Sequence, residues 1–366
     1  MLPGYTASKV LWFRQQHRDL YDRMRHILLP HDYLNFALTG EFCMEAGDAS
    51  GTGFFDVRER RWSTALLGAI DPDRDLGAAL PAVRTGNTAV GALLPSMAAS
   101  LGLPAAVPVA IGGGDNMMGA IGSGNVRPGA LTISLGTSGT VYAYADGPIV
   151  DPKGQIAAFC SSTGGWLPLL CTMNCTVSTE LIRDLVGADL AAFESQVADA
   201  PAGAAGLLTL PFFNGERTPN LPAGKGVVLG IEGRNATPAN LLRSAMEGAT
   251  FALKFGIDEL AALGIRATEI ALIGGGAHSA SWRALAADVF GLPVRVPEQE
   301  EGPAFGAALQ ALDLLTDQSL ADIAASHVRF DAALDRVPDE RNLALYADIY
   351  AEYQRAVGAV SPLYVS

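Results

Sequence analysis

The 366-residue sequence predicts an α/β fold in two domains. Three observations carry this. From about residue 128 onward, short apolar strands alternate with helical stretches, the pattern of helices laid over a mostly parallel sheet. Hydrophobic residues make up 49% and charged residues 17%, which supplies a large core and excludes a disordered chain. The turn signal Arg127-Pro128-Gly129 marks a change of character and places a boundary near 127, giving domains of 1–127 and 128–366.

Taken in order, residues 7–40 read as helical, with Leu11, Trp12, Leu20, Met24, Ile27 and Leu28 apolar between charges. Residues 44–60 read as an irregular segment closing on Asp56 and Arg58. Ser63 caps a short helix through Ile70, and Gly86 to Pro95 reads as a loop. Val107–Ile111 is a buried strand running into Gly112-Gly113-Gly114, and 115–124 is a helix whose Gly119, Ala120 and Gly122 imply close packing on a neighbour. Leu131–Ser134 and Val141–Tyr144 flank Leu135-Gly136-Thr137-Ser138-Gly139 as a hairpin. Further strands are expected near 156–160, 166–170 and 207–210, and helices at 177–186 and 189–198. Thr237-Pro238 is an N-cap followed by proline at the first helical position, opening a long helix to about Leu263. The strand Glu269–Ile273 feeds Gly274-Gly275-Gly276-Ala277 and a helix from near Ser279; a strand at 293–296 and a helix from about 303 follow.

A net charge of −13 argues against nucleic acid or an anionic membrane as partner, both of which need clustered Lys and Arg. Cys43, Cys160, Cys171 and Cys175 form no CxxC pair and read as buried thiols of a reduced, cytoplasmic protein. No apolar run approaches the roughly 20 residues that span a bilayer.

The candidate chemistry centres on two glycine-rich elements. Asp115 stands at the mouth of the 112–114 turn, either as a general base for a sugar hydroxyl or as the N-cap of its helix. Gly136, Thr137, Ser138 and Gly139 offer bare amides and hydroxyls to phosphate oxygens, or form an ordinary hairpin turn. Gly274–Ala277, between strand and helix, suits a nucleotide: phosphate at the helix N-terminus, or base or ribose on the glycines. Arg217 meets a phosphate or pairs with Glu216, and Glu247 is a buried anchor or a site residue. His278 contacts a nucleotide or faces solvent, and Thr172–Thr176 approaches a phosphate or is structural. His31-Asp32-Tyr33, with one histidine and no further ligand in range, reads as structural, so no metal site is assigned.

The order of these elements resembles the FGGY carbohydrate kinases. Gly4-Tyr5-Thr6-Ala7-Ser8-Lys9-Val10-Leu11-Trp12-Phe13-Arg14-Gln15-Gln16 fits the first family signature, built around Lys-x-x-Trp; Gly226–Ile231, Asn240-Leu241 and Ser244–Glu247 follow the second. Leu29–Leu34, Gly112–Asn116, Ser134–Gly139, Gly215–Pro219 and Gly274–Ala277 sit in family order. The resemblance implies an actin/hexokinase-like, ribonuclease-H-like two-domain fold. It also implies ATP and Mg²⁺ as cofactors and phosphoryl transfer to a small sugar, D-xylulose first. In the family's terms Asp115 is the base, Asp115 and Asn116 meet sugar, Gly136–Gly139 hold ATP phosphates, and Gly275, Gly276, Ala277 and Ala280 form the adenosine site. Gly302-Pro303-Ala304-Phe305-Gly306 is expected as a structural turn. A homodimer is compatible with the resemblance.

The family's Asp-x-Gly-Thr phosphate loop has no counterpart in this sequence, and Met1–Gly4 corresponds to a point inside the family's first domain. That predicts an incomplete first domain and a poor catalyst. A kinase for another ketose or polyol, or a non-catalytic actin-like nucleotide-binding module, are the competing readings.

Overall fold

The computed structural model describes residues 4–364; Met1–Pro3, where the sequence reading places entry into the first domain, lie outside the described residues. The C-terminal two thirds is built on a five-stranded sheet in the order Val294–Arg295, Glu269–Ile273, Ala130–Leu135, Gly139–Ala143, Leu169–Cys171. The first three strands are parallel and the last two antiparallel, so the sheet is mixed rather than mostly parallel. The reason is local: the three-residue connection Gly136–Ser138 reverses the chain, whereas parallel neighbours need a crossover.

Alternation along the strands fills both faces. Leu131, Ile133, Leu135, Val141 and Leu170 point into a core shared with the helices Pro238–Ala262, Ala280–Phe290 and Glu340–Val360. Tyr142 and Leu169 point the other way, onto the helices Asp115–Gly122, Gly302–Leu314 and Leu320–His327. The long helix opens as expected, with Thr237 Oγ1 accepting from the Asn240 amide at 3.2 Å and Pro238 in the first turn. Glu247 on this helix is an anchor: it accepts from Gly203 N, Arg243 Nε and Tyr346 Oη at 2.9, 2.8 and 2.9 Å. The helix Glu340–Val360 supplies Tyr346, Tyr350 and Tyr353 against Phe251.

Residues 7–40 are three helices, Thr6–Gln16, Arg18–Arg23 and Pro30–Thr39, rather than one run. The break before the third is set by Pro30, which holds Leu29 extended at φ −78°, ψ 162°. Residues 44–60 are more regular than expected: Cys43–Glu45 pairs in parallel with Ala82–Arg84, and Phe55–Asp56 makes a hairpin with Arg61–Trp62. Gly86–Pro95 is not wholly loop, because Ala89–Ala92 pairs antiparallel with Pro108–Ala110. The strand expected at 156–160 is reduced to isolated bridges at Ala157 and Cys160. No helix of the described residues is long and apolar enough to cross a membrane.

The helices Asp115–Gly122 and Gly302–Leu314 meet without side chains between them. A Cβ on Gly122 would overlap the Gly302 carbonyl, and one on Gly306 the Met118 carbonyl. The stretch 302–306 is therefore the opening of a helix rather than a turn. Gly306→Ala is expected to lower unfolding free energy by about 1–3 kcal/mol, the cost of overpacking, with a matching fall in the denaturant midpoint. An unchanged midpoint would show that the joint gives way freely.

Candidate active site

Asp115 is the first residue of its helix; Gly114, extended at φ −62°, ψ 159°, occupies the N-cap and makes no side-chain cap bond. Asp115 is therefore not the N-cap. Its Oδ1 accepts from the Asn116 amide at 2.8 Å and from Asn116 Nδ2 at 3.2 Å, while Oδ2 takes no hydrogen bond among the described residues. The carboxylate is exposed and available.

The turn beneath it is held from two sides. Ile111 O accepts from His31 Nε2 at 2.7 Å and Asn35 Nδ2 at 2.8 Å. From the opposite side Gln310, fully buried, accepts from Gly112 N at 2.8 Å. Gly112 has φ +71°, and a Cβ there would sit 2.6 Å from His31 Nε2, so glycine is required twice over. Sequence reasoning did not find Gln310; nothing in its local pattern separates it from other helical polar residues.

Thr137 and Ser138 stand exposed at the tip of the hairpin, their hydroxyls unpartnered among the described residues. Residues 172–176 brace the turn rather than face a phosphate. Thr172 Oγ1 accepts from Gly139 N at 3.1 Å, and the Cys175 and Thr176 amides donate to Thr137 O and Gly136 O at 3.0 and 2.9 Å.

Gly274–Ala277 lies at the same sheet edge, since Ile273 is in register with Ser134. Gly274 (φ +85°) and Gly276 pack on Leu135, and a Cβ on either would meet Leu135 atoms at 2.9 and 2.7 Å. Gly276 and Ala277 are buried; Gly275, which has nothing within 4 Å of an added Cβ, and Ala280 are exposed. Arg283 braces the turn from below by donating to Ala277 O and His278 O at 2.7 and 2.9 Å.

The N-terminus of the helix Ala280–Phe290 is already taken. Glu194 accepts from Ser279 Oγ at 2.6 Å and from the Ser281 amide at 2.8 Å. Burial works against its charge, but these bonds and Arg283 prevail and hold its carboxyl below the usual range. An anion at this helix end would meet a carboxylate, so the open glycine suits a neutral base or ribose rather than phosphate. His278 is exposed, 3.9 Å from Glu300.

Asp115 opens the helix that packs on this sheet through Met117 and Met118 against Tyr142 and Leu169. Cys171 pairs with Thr140, one residue past Gly139. Its thiol, pushed up chiefly by burial, feels the charges of Arg217, Glu216 and Asp115 together. Arg217 is exposed and among the described residues its guanidinium reaches only Met173 Sδ, at 4.0 Å; its charge is also felt by Tyr5 of the N-terminal helical region. Glu216 does not pair with that guanidinium; it accepts from Met173 N, Asn174 Nδ2 and the Arg217 amide at 2.6, 3.0 and 2.8 Å.

The family model described as the FGGY family of carbohydrate kinases, N-terminal domain, matches residues 1–122, and that of the C-terminal domain matches 131–313. The chain belongs to the FGGY family of carbohydrate kinases. Among FGGY relatives, a xylulose kinase of Haemophilus influenzae is 43% identical over 350 residues, 96% of this chain and 71% of that one. A xylulose kinase of Escherichia coli is 36% identical over 97% of this chain and 71% of its own length. The crystal structure of a xylulose kinase from Brucella ovis superposes with a TM-score of 0.92 at 31% identity, over 99% of this chain and 74% of that one. The fold is thus the actin/hexokinase-like fold expected from the motifs, and the chain is an ATP-dependent sugar kinase by family.

Beneath the Asp115 turn lies one acid that sequence reasoning passed over. Glu45 is completely buried, caps the helix Ala46–Ser50 through the Asp48 amide at 3.0 Å, and leaves Oε1 without a partner among the described residues. Burial, against its backbone hydrogen bonds, pushes its carboxyl up to about 7. Its folded value stands above the unfolded one, so its contribution to stability is complete below about pH 4.5 and is lost as pH rises through 7. Glu45→Gln, which cannot ionise, should gain several degrees in melting temperature relative to wild type between pH 5 and pH 8. A difference that does not change with pH would show that Glu45 titrates normally.

Proposed function

We propose that this kinase transfers the γ-phosphoryl group of ATP to D-xylulose, giving D-xylulose 5-phosphate. The observation that carries the reading is a free carboxylate, Asp115, at the start of a helix packed on the sheet whose neighbouring strand ends carry two glycine turns, 136–139 and 274–277. The xylulose kinases among its relatives support the choice of sugar. In this reading residues 1–127 belong to the sugar side and 128–366 to the nucleotide side.

Asp115 accepts the proton of the attacking hydroxyl through Oδ2 while Asn116 fixes Oδ1 and touches the sugar. The hydroxyl oxygen forms its bond to phosphorus as the bond to the bridging oxygen of ADP breaks. Gly136, Thr137, Ser138 and Gly139 hold the phosphates, with the Thr137 and Ser138 hydroxyls as added donors. The open backbone at Gly275, with Ala280 beside it, takes the adenosine, and Gly276 and Ala277 form its floor against Leu135 and Trp282. Arg217 is placed to meet negative charge from the side of Tyr5.

Mg²⁺ would neutralise phosphate charge. Among the described residues no group of three ligating side chains stands at the 136–139 turn, so the ion is expected to arrive on the phosphates and their waters rather than in a protein cage.

Asp115→Ala should lower kcat by about 10²–10⁴-fold and leave ATP affinity within a factor of two, read by coupled ADP release and by calorimetry. Loss of ATP binding as well would make Asp115 a structural residue. Thr137→Val should weaken ATP several-fold and leave sugar affinity unchanged; equal nucleotide affinity would remove the phosphate role from the turn. A screen of pentuloses and polyols tests the sugar, with D-xylulose expected to show the highest kcat/KM.

A further inference from the structure

His31 sits where the turn that presents Asp115 is anchored, and its two ring nitrogens face opposite demands. Nε2 lies 2.7 Å from Ile111 O. A carbonyl only accepts, so Nε2 carries a hydrogen. Nδ1 lies within ion-pair range of two carboxylates, Asp48 Oδ2 at 3.2 Å and Asp32 Oδ1 at 3.6 Å, with no hydrogen bond to either among the described residues. In a neutral ring with its hydrogen on Nε2, Nδ1 would turn a lone pair toward both acids.

Among the described residues no other cation pairs with these two carboxylates. Asp32 is fully buried; one of its oxygens accepts from the Leu29 amide at 2.9 Å, and the other, Oδ1, has no hydrogen-bond partner among the described residues. Asp48 borders the glycines, its Oδ1 3.1 Å from where a Cβ on Gly114 would lie. Glu45, from the end of the adjoining strand, adds a third acid that feels both Asp48 and His31. Arg84, on the neighbouring strand, commits its guanidinium to Ala89 O and Val90 O at 2.7 and 3.1 Å. A buried carboxylate without a counter-charge is costly, so the charge balance of this pocket falls on His31.

We propose that His31 is held as an imidazolium and is a positioning residue for the phosphoryl transfer: it ties the Asp32 and Asp48 carboxylates to the carbonyl of Ile111 and so fixes the Gly112–Gly114 turn that aims Asp115. The role in catalysis rests on Asp115 being the proton acceptor; the charge state of His31 does not. Burial opposes the charge, but the two carboxylates outweigh it and push the ring up to about 10. Because the folded value is raised, the clamp is complete below about pH 6.5 and is lost as pH climbs through 10.

The first test is nuclear magnetic resonance on the intact chain. The His31 ring nitrogens should both show the shifts of a protonated imidazolium from pH 6 to 8.5, without titration, and Asp115→Asn should leave them unmoved. A neutral-ring signature or a midpoint near 6.5 overturns the proposal whatever Asp115 does. The second test is kinetic. His31→Gln keeps a donor for Ile111 but removes the charge, and should lower kcat at least 10-fold with KM for ATP unchanged. His31→Lys, which restores a cation with several donors, should recover most of kcat. Wild-type kcat in His31→Gln, or failure of His31→Lys to recover it while both variants melt as wild type, refutes the clamp. Stoichiometric Zn²⁺ uptake by the wild type, abolished in His31→Gln, would put a metal ion in the proton's place and equally refute it. If Asp115→Asn remains active while the His31 signal is invariant, the catalytic assignment fails and the imidazolium stands.

Discussion

Everything at the sheet edge depends on two helices that touch backbone to backbone. At Gly122 and Gly306 there is no room for a side chain on either partner. This close approach carries Gln310 to Gly112 and thereby couples the Asp115 turn to the half of the molecule that holds the glycine turns 136–139 and 274–277. The polar seam beside it, in which Asn125 donates to Thr132 Oγ1 and Tyr142 O at 3.1 and 3.0 Å, fixes the same helix to the sheet. The Asp115 turn and the 136–139 turn are thus parts of one packed body rather than loops brought together by chance, the kind of preorganisation that the proposed phosphoryl transfer would use.

Electrostatics divides this edge into regions. Glu194 at the start of the helix Ala280–Phe290 closes that end to anions, while the 136–139 turn has no acid among its hydrogen-bond partners.

Much of this was legible in the sequence, and the parts that were not share a cause. Thr237-Pro238, Ser63 and the 135–139 hairpin are local signals, and the chain obeys them. The small residues of 115–122 announced close packing, but the partner helix could not be named, because the matching glycine lies almost two hundred residues away. The helix Glu340–Val360 was missed although Tyr346, Tyr350 and Tyr353 repeat at helical spacing. At the site, Asp115 and the glycines stand out by composition, whereas Glu45, Asp48, Glu194 and Gln310 act through contacts distant in sequence. His31 looked structural because its second acid, Asp48, arrives from another helix.

Leu135 is the last residue of its strand, and both Gly274 and Gly276 rest on it while the phosphate turn begins immediately after it. One side chain therefore serves as the common datum for both glycine turns. The spacing between 136–139 and 274–277 is a length built into the sheet, because the ruler between them is not made of loop.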